Sequence, residues 1–170
     1  LAAREACLLL APAADVTLKW PNDLLVGGRK LAGLLLECKT QDDALAVVVG
    51  FGLNLADAPA GMPFPAISLA ALGFMVPAEA AFSALSDAWD RNFDLWRNRG
   101  FAEIRQRWLL GAEGIGQPAS LTIGDRQERG IFETLDEGGR LVLRLADGSA
   151  RFVSAGDVFF GEAARVGAAS

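Results

Sequence analysis

The 170-residue sequence contains no histidine and no tyrosine. Serine–histidine and cysteine–histidine triads are thereby excluded within the chain, as is zinc held by imidazole. Any chemistry must draw on Lys, Arg, Asp, Glu, backbone groups or a bound metal ion. Two cysteines, Cys7 and Cys38, are too few for a disulfide framework, and the default expectation is a reduced cytoplasm. No apolar run approaches the roughly 20 residues that a membrane-spanning helix needs. No signal peptide is visible, although a truncated start would hide one. The formal net charge of −5 argues against broad nucleic-acid binding while leaving room for a local basic pocket.

What is present points to a packed α/β protein. Hydrophobic residues make up 52% of the chain, ample for the core of one domain, or of one and a small second. The first residue is Leu rather than Met, and an apolar helical pattern is under way at residues 7–10. The expectation is therefore a chain whose N-terminal part is missing. Residues 2–11 read as a helix end closed by Pro12. Val16, Leu18 and Trp20 alternate with Thr17 and Lys19 as in a strand. Residues 24–26 and 30–37 flank Gly27-Gly28, a good hairpin signal. Gln41-Asp42-Asp43 reads as a polar turn, and residues 44–55 as a third strand whose centre, Val47-Val48-Val49, fits a buried position. Pro59, Gly61, Pro63 and Pro65 mark a loop.

Pro77 suits the first turn of a helix. Phe82, Leu85, Trp89, Phe93 and Trp96 recur at helical spacing and read as its core face, with Asp87, Asp90, Arg91, Asp94 and Arg97 on the other side. Arg97 and Arg99 suit the helix C-terminus, with Gly100 as the stop. A second short helix carries Phe101, Ile104, Trp108 and Leu109. The glycines and proline of residues 111–118 read as a domain boundary, dividing the chain into residues 1–112 and 117–162. Beyond it, short strands separated by Gly124-Asp125, Glu137-Gly138-Gly139 and Asp147-Gly148 suggest a small closed barrel. The first domain is expected to hold a mixed sheet with flanking helices, an α+β class.

Three segments carry candidate chemistry. In the third strand Gly50, Gly52 and Asn54 share one face. Two bare glycines on a strand face cost stability, so something approaches that backbone closely: a flat ring such as a purine or bicyclic cofactor, or a neighbouring helix. Lys30 shares its expected strand face with Ala32, Leu34 and Leu36, where an ammonium must either snorkel or meet an anion such as phosphate. Lys19 has the same two readings. Gly33 falls on the opposite face, and shares a ligand with Lys30 only through its backbone or a bulge. Asp23, after Pro21-Asn22, reads as turn chemistry or as a carboxylate that binds Mg²⁺ or accepts a proton. Glu37 reads as a structural ion-pair partner and Cys38 as a passive small residue.

Lys19-Trp20-Pro21-Asn22-Asp23, then Arg29-Lys30-Leu31-Ala32-Gly33-Leu34-Leu35-Leu36-Glu37, then Gly50-Phe51-Gly52-Leu53-Asn54 resemble the biotin protein ligase family in order and spacing. The first motif is highly specific and the others moderately so. The resemblance covers nearly the whole chain, and residues 154–160 look like the family's closing strand. It implies a partial ligase-type catalytic domain followed by an SH3-like barrel. It also implies that biotin and ATP, with Mg²⁺, form biotinyl-5′-AMP, from which biotin passes to a lysine of a biotin carboxyl carrier protein, as in acetyl-CoA carboxylase. The first nucleophile is already an anion and needs no histidine base. Lys19 and Lys30 would relieve charge at phosphorus, and Asp23 would orient the metal or help deprotonate the carrier lysine. Gly33 would give biotin a backbone contact, Gly50 and Gly52 would line the site, and Asn54 would contact the adenylate. The family's Gly-Arg-rich loop lies upstream of the first motif, so the chain is expected to be inactive alone. The resemblance allows a homodimer through sheet extension. The rivals are a lipoate-type acyl-adenylate ligase, a non-catalytic carrier-binding or dimerisation module, and a biotin-responsive repressor with an upstream DNA-binding domain.

Overall fold

A computed structural model describes residues 1–41, 44–61, 64–123 and 126–160. Asp42-Asp43, Pro63 and the Gly124-Asp125 turn lie outside the described residues. The chain divides into two compact units. One comprises Ala2–Leu18 and Asn22–Arg91, and the other Leu1, Lys19–Pro21 and Asn92 onward. Among the described residues no helix is long and apolar enough to cross a membrane.

The first unit opens with helix α1 (Ala2–Leu10). It continues through strands β1 (Val16–Lys19), β2 (Asp23–Val26), β3 (Arg29–Gln41) and β4 (Ala44–Leu53). The strands form a sheet in the order β1-β2-β3-β4. Gly27 and Gly28 have φ of 56° and 72°, the left-handed pair that a tight two-residue hairpin needs and that glycine adopts freely. The β2–β3 and β3–β4 pairings are antiparallel, and a single parallel bridge joins Lys30 to Ala66. The expected mixed sheet is thus corrected to an antiparallel one in these pairings: consecutive strands separated by only two residues of sequence have no room for the crossover that a parallel pairing needs.

Two expectations about burial are also corrected. Val48 is 62% exposed, and Leu35, Leu36, Leu45 and Val47 are exposed with it. The reason is length: β2 reaches along β3 only as far as Gly33, so beyond it β3 and β4 run as a two-stranded ribbon. In helix α2 (Ala78–Arg99), Phe82 is 73% exposed and Trp89, Phe93 and Trp96 are exposed too. The buried face carries small residues instead. Ala84 and Ala88 pack against Ala2 and Ala6 of α1, with Leu10 and Leu85 at the margin. Alanines let two helices approach closely, whereas the aromatic stripe sits on an adjoining face.

The second unit contains helix α3 (Phe101–Leu110) and strands β5 (Pro118–Ile123), β6 (Arg126–Leu135), β7 (Leu141–Arg144), β8 (Ala150–Val153) and β9 (Asp157–Phe160). All pairings are antiparallel, in the order β8-β7-β6-β5-β9. No pairing joins β8 to β9 among the described residues, so the expected closed barrel is replaced by an open sheet order. Both edge strands have only four residues, which leaves little unpaired edge to protect. Ala119, Leu121, Phe132, Leu135, Leu141, Leu143, Val153 and Val158 form its core, and Trp20 is buried among them at 4% exposure. Arg105 of α3 donates from Nε to the Leu135 carbonyl at 2.7 Å, fixing the helix against β6.

Candidate active site

Register along the β2–β3 hairpin builds the site. Asp23 pairs with Gly33 and Leu24 with Ala32, but Leu25 pairs with Lys30. Leu31 is therefore an extra residue, a bulge of the kind that re-aims a side chain next to functional sites. The parity change moves Lys30 off the face expected from strict alternation and onto that of Gly33. Its Nζ lies 2.6 Å from the Asp23 carboxylate, with Lys30 38% and Asp23 17% exposed. A methyl group at Gly33 would meet Lys30 Cε and Nζ at 2.9 Å and Asp23 Oδ1 at 3.1 Å. The bare α-carbon of Gly33 is thus what lets the lysine cross to the aspartate.

Backbone hydrogen bonds hold the bulge. The Lys30 N–H donates to the Pro65 carbonyl at 2.8 Å, and its carbonyl accepts from the Ile67 N–H at 2.9 Å. Asn54 adds a second clamp: its Nδ2 donates to the Lys30 carbonyl at 3.2 Å and the Ile67 carbonyl at 3.0 Å. With both amide hydrogens engaged, Asn54 offers a ligand its Oδ1 acceptor. Asn22 brackets Leu34 in the same manner. Its side-chain amide donates to the Leu34 carbonyl at 2.5 Å, and its own carbonyl accepts from the Leu34 N–H at 2.8 Å.

A cleft of about 130 Å³ is lined by Lys30, Ala32, Gly33, Gly52, Asn54, Pro59, Phe64 and Ala66. Pockets that enclose a drug-sized ligand run to roughly 300–1,000 Å³, so this cleft accommodates one moiety, not a whole acyl-nucleotide. Gly52 pairs with Gly33 across β3 and β4. A methyl at Gly52 would come no nearer than 3.7 Å to the Gly33 carbonyl, and one at Gly50 no nearer than 3.5 Å to the Leu35 carbonyl. Both are ordinary van der Waals separations, so among the described residues no neighbouring helix requires these glycines.

Lys30, Asp23, Gly33, Gly52 and Asn54 are brought together in the first unit. Gly50 belongs to the same strand but does not line the cleft. Lys19 belongs to the other unit, where its Nζ stands 5.8 Å from the Phe159 ring centroid, a cation–π distance. Glu37 forms no ion pair among the described residues, contrary to expectation, because it lies on the exposed ribbon opposite Val48. Sequence reasoning missed the clamping by Asn22 and the lining by Ala32, Pro59, Phe64 and Ala66. The Pro-Asn-Asp composition was the one available signal for Asn22. Among the described residues Asp23 is the one carboxylate at the site, and no group of three metal-ligating side chains occurs. That suits Mg²⁺ arriving with a nucleotide, for which one or two carboxylates plus phosphates and waters suffice. It does not suit a dedicated protein cage.

The site is thus a lysine bent over a bare strand glycine beside a carboxylate, on a bulged hairpin. The Biotin/lipoate A/B protein ligase family model matches residues 11–54, and that of the Biotin protein ligase C-terminal domain matches residues 114–161. The chain is 38% identical over 164 residues to a biotin–[acetyl-CoA-carboxylase] ligase of Paracoccus denitrificans. That match covers 91% of this chain and 67% of the relative. It is 37% identical to the corresponding ligase of Mycobacterium tuberculosis, covering 90% of this chain and 56% of the relative. The chain belongs to the biotin protein ligase family. The crystal structure of biotin protein ligase from Aquifex aeolicus superposes with a TM-score of 0.78 at 21% identity, covering 94% of this chain and 70% of that one. The fold is thus the biotin protein ligase-like one, α+β with two antiparallel sheets. The chain spans between about half and two thirds of the length of these two curated relatives.

Proposed function

We propose that this chain contributes to ATP-dependent attachment of biotin to a lysine of a biotin carboxyl carrier protein, through biotinyl-5′-AMP. The observation that carries the reading is the Lys30–Asp23 pair held over Gly33, with Lys30 and Gly33 lining the cleft. The relatives' names support biotin as substrate and the carrier of acetyl-CoA carboxylase as partner. In the first step the biotin carboxylate attacks the α-phosphorus of ATP, and the bond to the bridging oxygen breaks with its electrons, releasing pyrophosphate. Lys30 and Lys19 act as fixed cations that stabilise charge gathering on the phosphoryl oxygens. Gly52 supplies the bare floor on which a flat ring rests, with Gly50 further along β4, and Gly33, whose face carries the Lys30 side chain, gives biotin a backbone contact. Asn54 holds Lys30 through its carbonyl and presents Oδ1 to the ligand. Asp23 would supply a ligand to Mg²⁺, which when bound neutralises phosphate charge. In the second step the carrier amine attacks the acyl carbon, the bond to phosphate breaks, and AMP leaves. As the alternative to serving the metal, Asp23 would help deprotonate the carrier amine.

In this reading residues 1–112 are part of the catalytic domain, and residues 117–162 are an SH3-like domain whose described strands run in the open order β8-β7-β6-β5-β9. The 170 residues transfer little biotin by themselves, the reaction belongs to the cytoplasm, and a homodimer through sheet extension is compatible with it. The test is transfer of labelled biotin to a carrier domain by the full-length protein, alongside the 170-residue chain. Label on the carrier lysine with the former supports the proposal. Lipoate transferred in place of biotin moves the protein to the other branch of its family, and no transfer from folded protein favours a carrier-binding module. Robust transfer by the 170 residues alone overturns the inactivity expected of them.

A further inference from the structure

We propose that Trp20 is a positioning residue, and that the C-terminal sheet, through Trp20, sets where Lys19 stands. Lys19, Trp20 and Pro21 group with the second unit, although the residues just before and just after them group with the first. The indole is buried in the core of the five-stranded sheet, against residues such as Phe132, Leu141 and Val158. Its Nε1–H donates to the Gly139 carbonyl at 3.2 Å, a contact spanning 119 positions of sequence. Gly139 is itself constrained. Its φ is 81°, and the Phe101 ring would lie 3.1 Å from a methyl group there. Beside this anchor the Lys19 ammonium stands 5.8 Å from the Phe159 ring centroid, and Phe159 belongs to β9, which pairs with β5. A large rigid ring with a directed hydrogen bond defines the backbone of its neighbour more tightly than the solvated stem of lysine does. Lys19 is therefore placed by a sheet whose strands begin about a hundred residues later in the chain.

The kinetic consequence rests on the ligase reading, whereas the geometric claim does not. The chain has three lysines, Lys19, Lys30 and Lys39, so their ¹³C-dimethylated side chains give separable NMR signals. The Phe159 ring current displaces the Lys19 signal. Trp20→Phe keeps an aromatic ring in the core and removes the N–H donor. The expected result is a Lys19 signal moved towards its random-coil position, with Lys30 and Lys39 unmoved; a Lys19 signal unchanged by W20F overturns the proposal. If W20F fails to fold, site-specific replacement by benzothienylalanine, which keeps the ring shape without the N–H, is read the same way. In the full-length protein W20F should lower kcat for biotin-dependent pyrophosphate exchange about 10- to 100-fold, as a small misplacement of a catalytic group does. KM for biotin should stay within about twofold, and W20F should cost nothing further in a Lys19→Ala background. Equal losses in both backgrounds would show that Trp20 does not act through Lys19. Absence of exchange in the unsubstituted protein would fell the ligase reading, and the NMR signal would still decide the placement of Lys19.

Discussion

Gly33→Ala separates the architecture of the site from its stability. The added methyl would stand 2.9 Å from Lys30 Cε and Nζ and 3.1 Å from Asp23 Oδ1. The strand backbone has no reason to move, because the obstructing atoms are the end of a flexible lysine, and that end must yield. Two effects on folding oppose each other. Loss of the Lys30–Asp23 contact costs about 0–1 kcal/mol, discounted because the lysine is 38% exposed. Replacing glycine by alanine where the backbone tolerates it stabilises by about 0.4–1 kcal/mol through the unfolded chain. The net change should lie within about 1 kcal/mol, a melting shift of less than about 4 °C in a protein of this size. Displacing the Lys30 ammonium by about 1 Å should by contrast reduce turnover on the order of 100-fold. Thermal unfolding by circular dichroism and biotin-dependent ATP–pyrophosphate exchange in the full-length protein read the two quantities separately. In a Lys30→Ala background the methyl has room, so G33A should cost little more there. Full activity in G33A, or an equal loss with and without Lys30, would refute the idea that Gly33 acts by making way for the lysine.

Asn54→Ala removes two hydrogen bonds to the carbonyls of Lys30 and Ile67 and should destabilise by about 1–3 kcal/mol. It should also slow exchange; a urea midpoint at the unsubstituted value would show that the clamp carries no stability. Ser120 is fully buried, and its Oγ has no hydrogen-bond partner among the described residues. Ser120→Ala should therefore be neutral or stabilising by up to about 1–3 kcal/mol, and a marked fall in the urea midpoint would reveal a partner. Burial pushes the Cys7 thiol from 9.0 up to about 12, while Cys38 is exposed. Native protein should release one equivalent of thiol to a disulfide reagent and unfolded protein two. Because the Cys7 value is raised on folding, its contribution to stability is complete below about pH 9 and is lost as pH climbs towards 12. A Cys7→Ala variant should lose that alkaline slope in denaturant titrations.

Much of the local structure could be read in the sequence because its causes are local. Gly27-Gly28 encodes the hairpin through its positive φ values, and helices α1, α2 and α3 announce themselves by periodicity and by Pro or Gly at their ends. A bulge is one of two ways, beside a backbone contact, in which the sequence lets Lys30 and Gly33 share a ligand, but residue types alone neither choose it over alternation nor place it at Leu31. What failed depends on partners remote in the chain. Helical periodicity marks Phe82, Trp89 and Trp96 as a stripe, yet it cannot tell which of two adjoining faces a neighbour covers, and Ala84 and Ala88 met α1. An apolar run such as Val47-Val48-Val49 looks buried until its register shows that β2 stops at Gly33. Trp20 reads as a strand residue beside a charged motif, and its seat among residues 119–158 depends on a contact that no window along the chain contains.

Lys30, freed by Gly33 and paired with Asp23, is the group on which the proposed adenylation of biotin depends most. The direct measurement is ATP–pyrophosphate exchange by the full-length protein with biotin and with lipoate in parallel, comparing the natural sequence with Lys30→Ala. The expected result is exchange with biotin, none with lipoate, and a loss on the order of 100-fold in K30A with the fold intact. Exchange at the natural rate in a folded K30A protein, or exchange supported by lipoate alone, would contradict it.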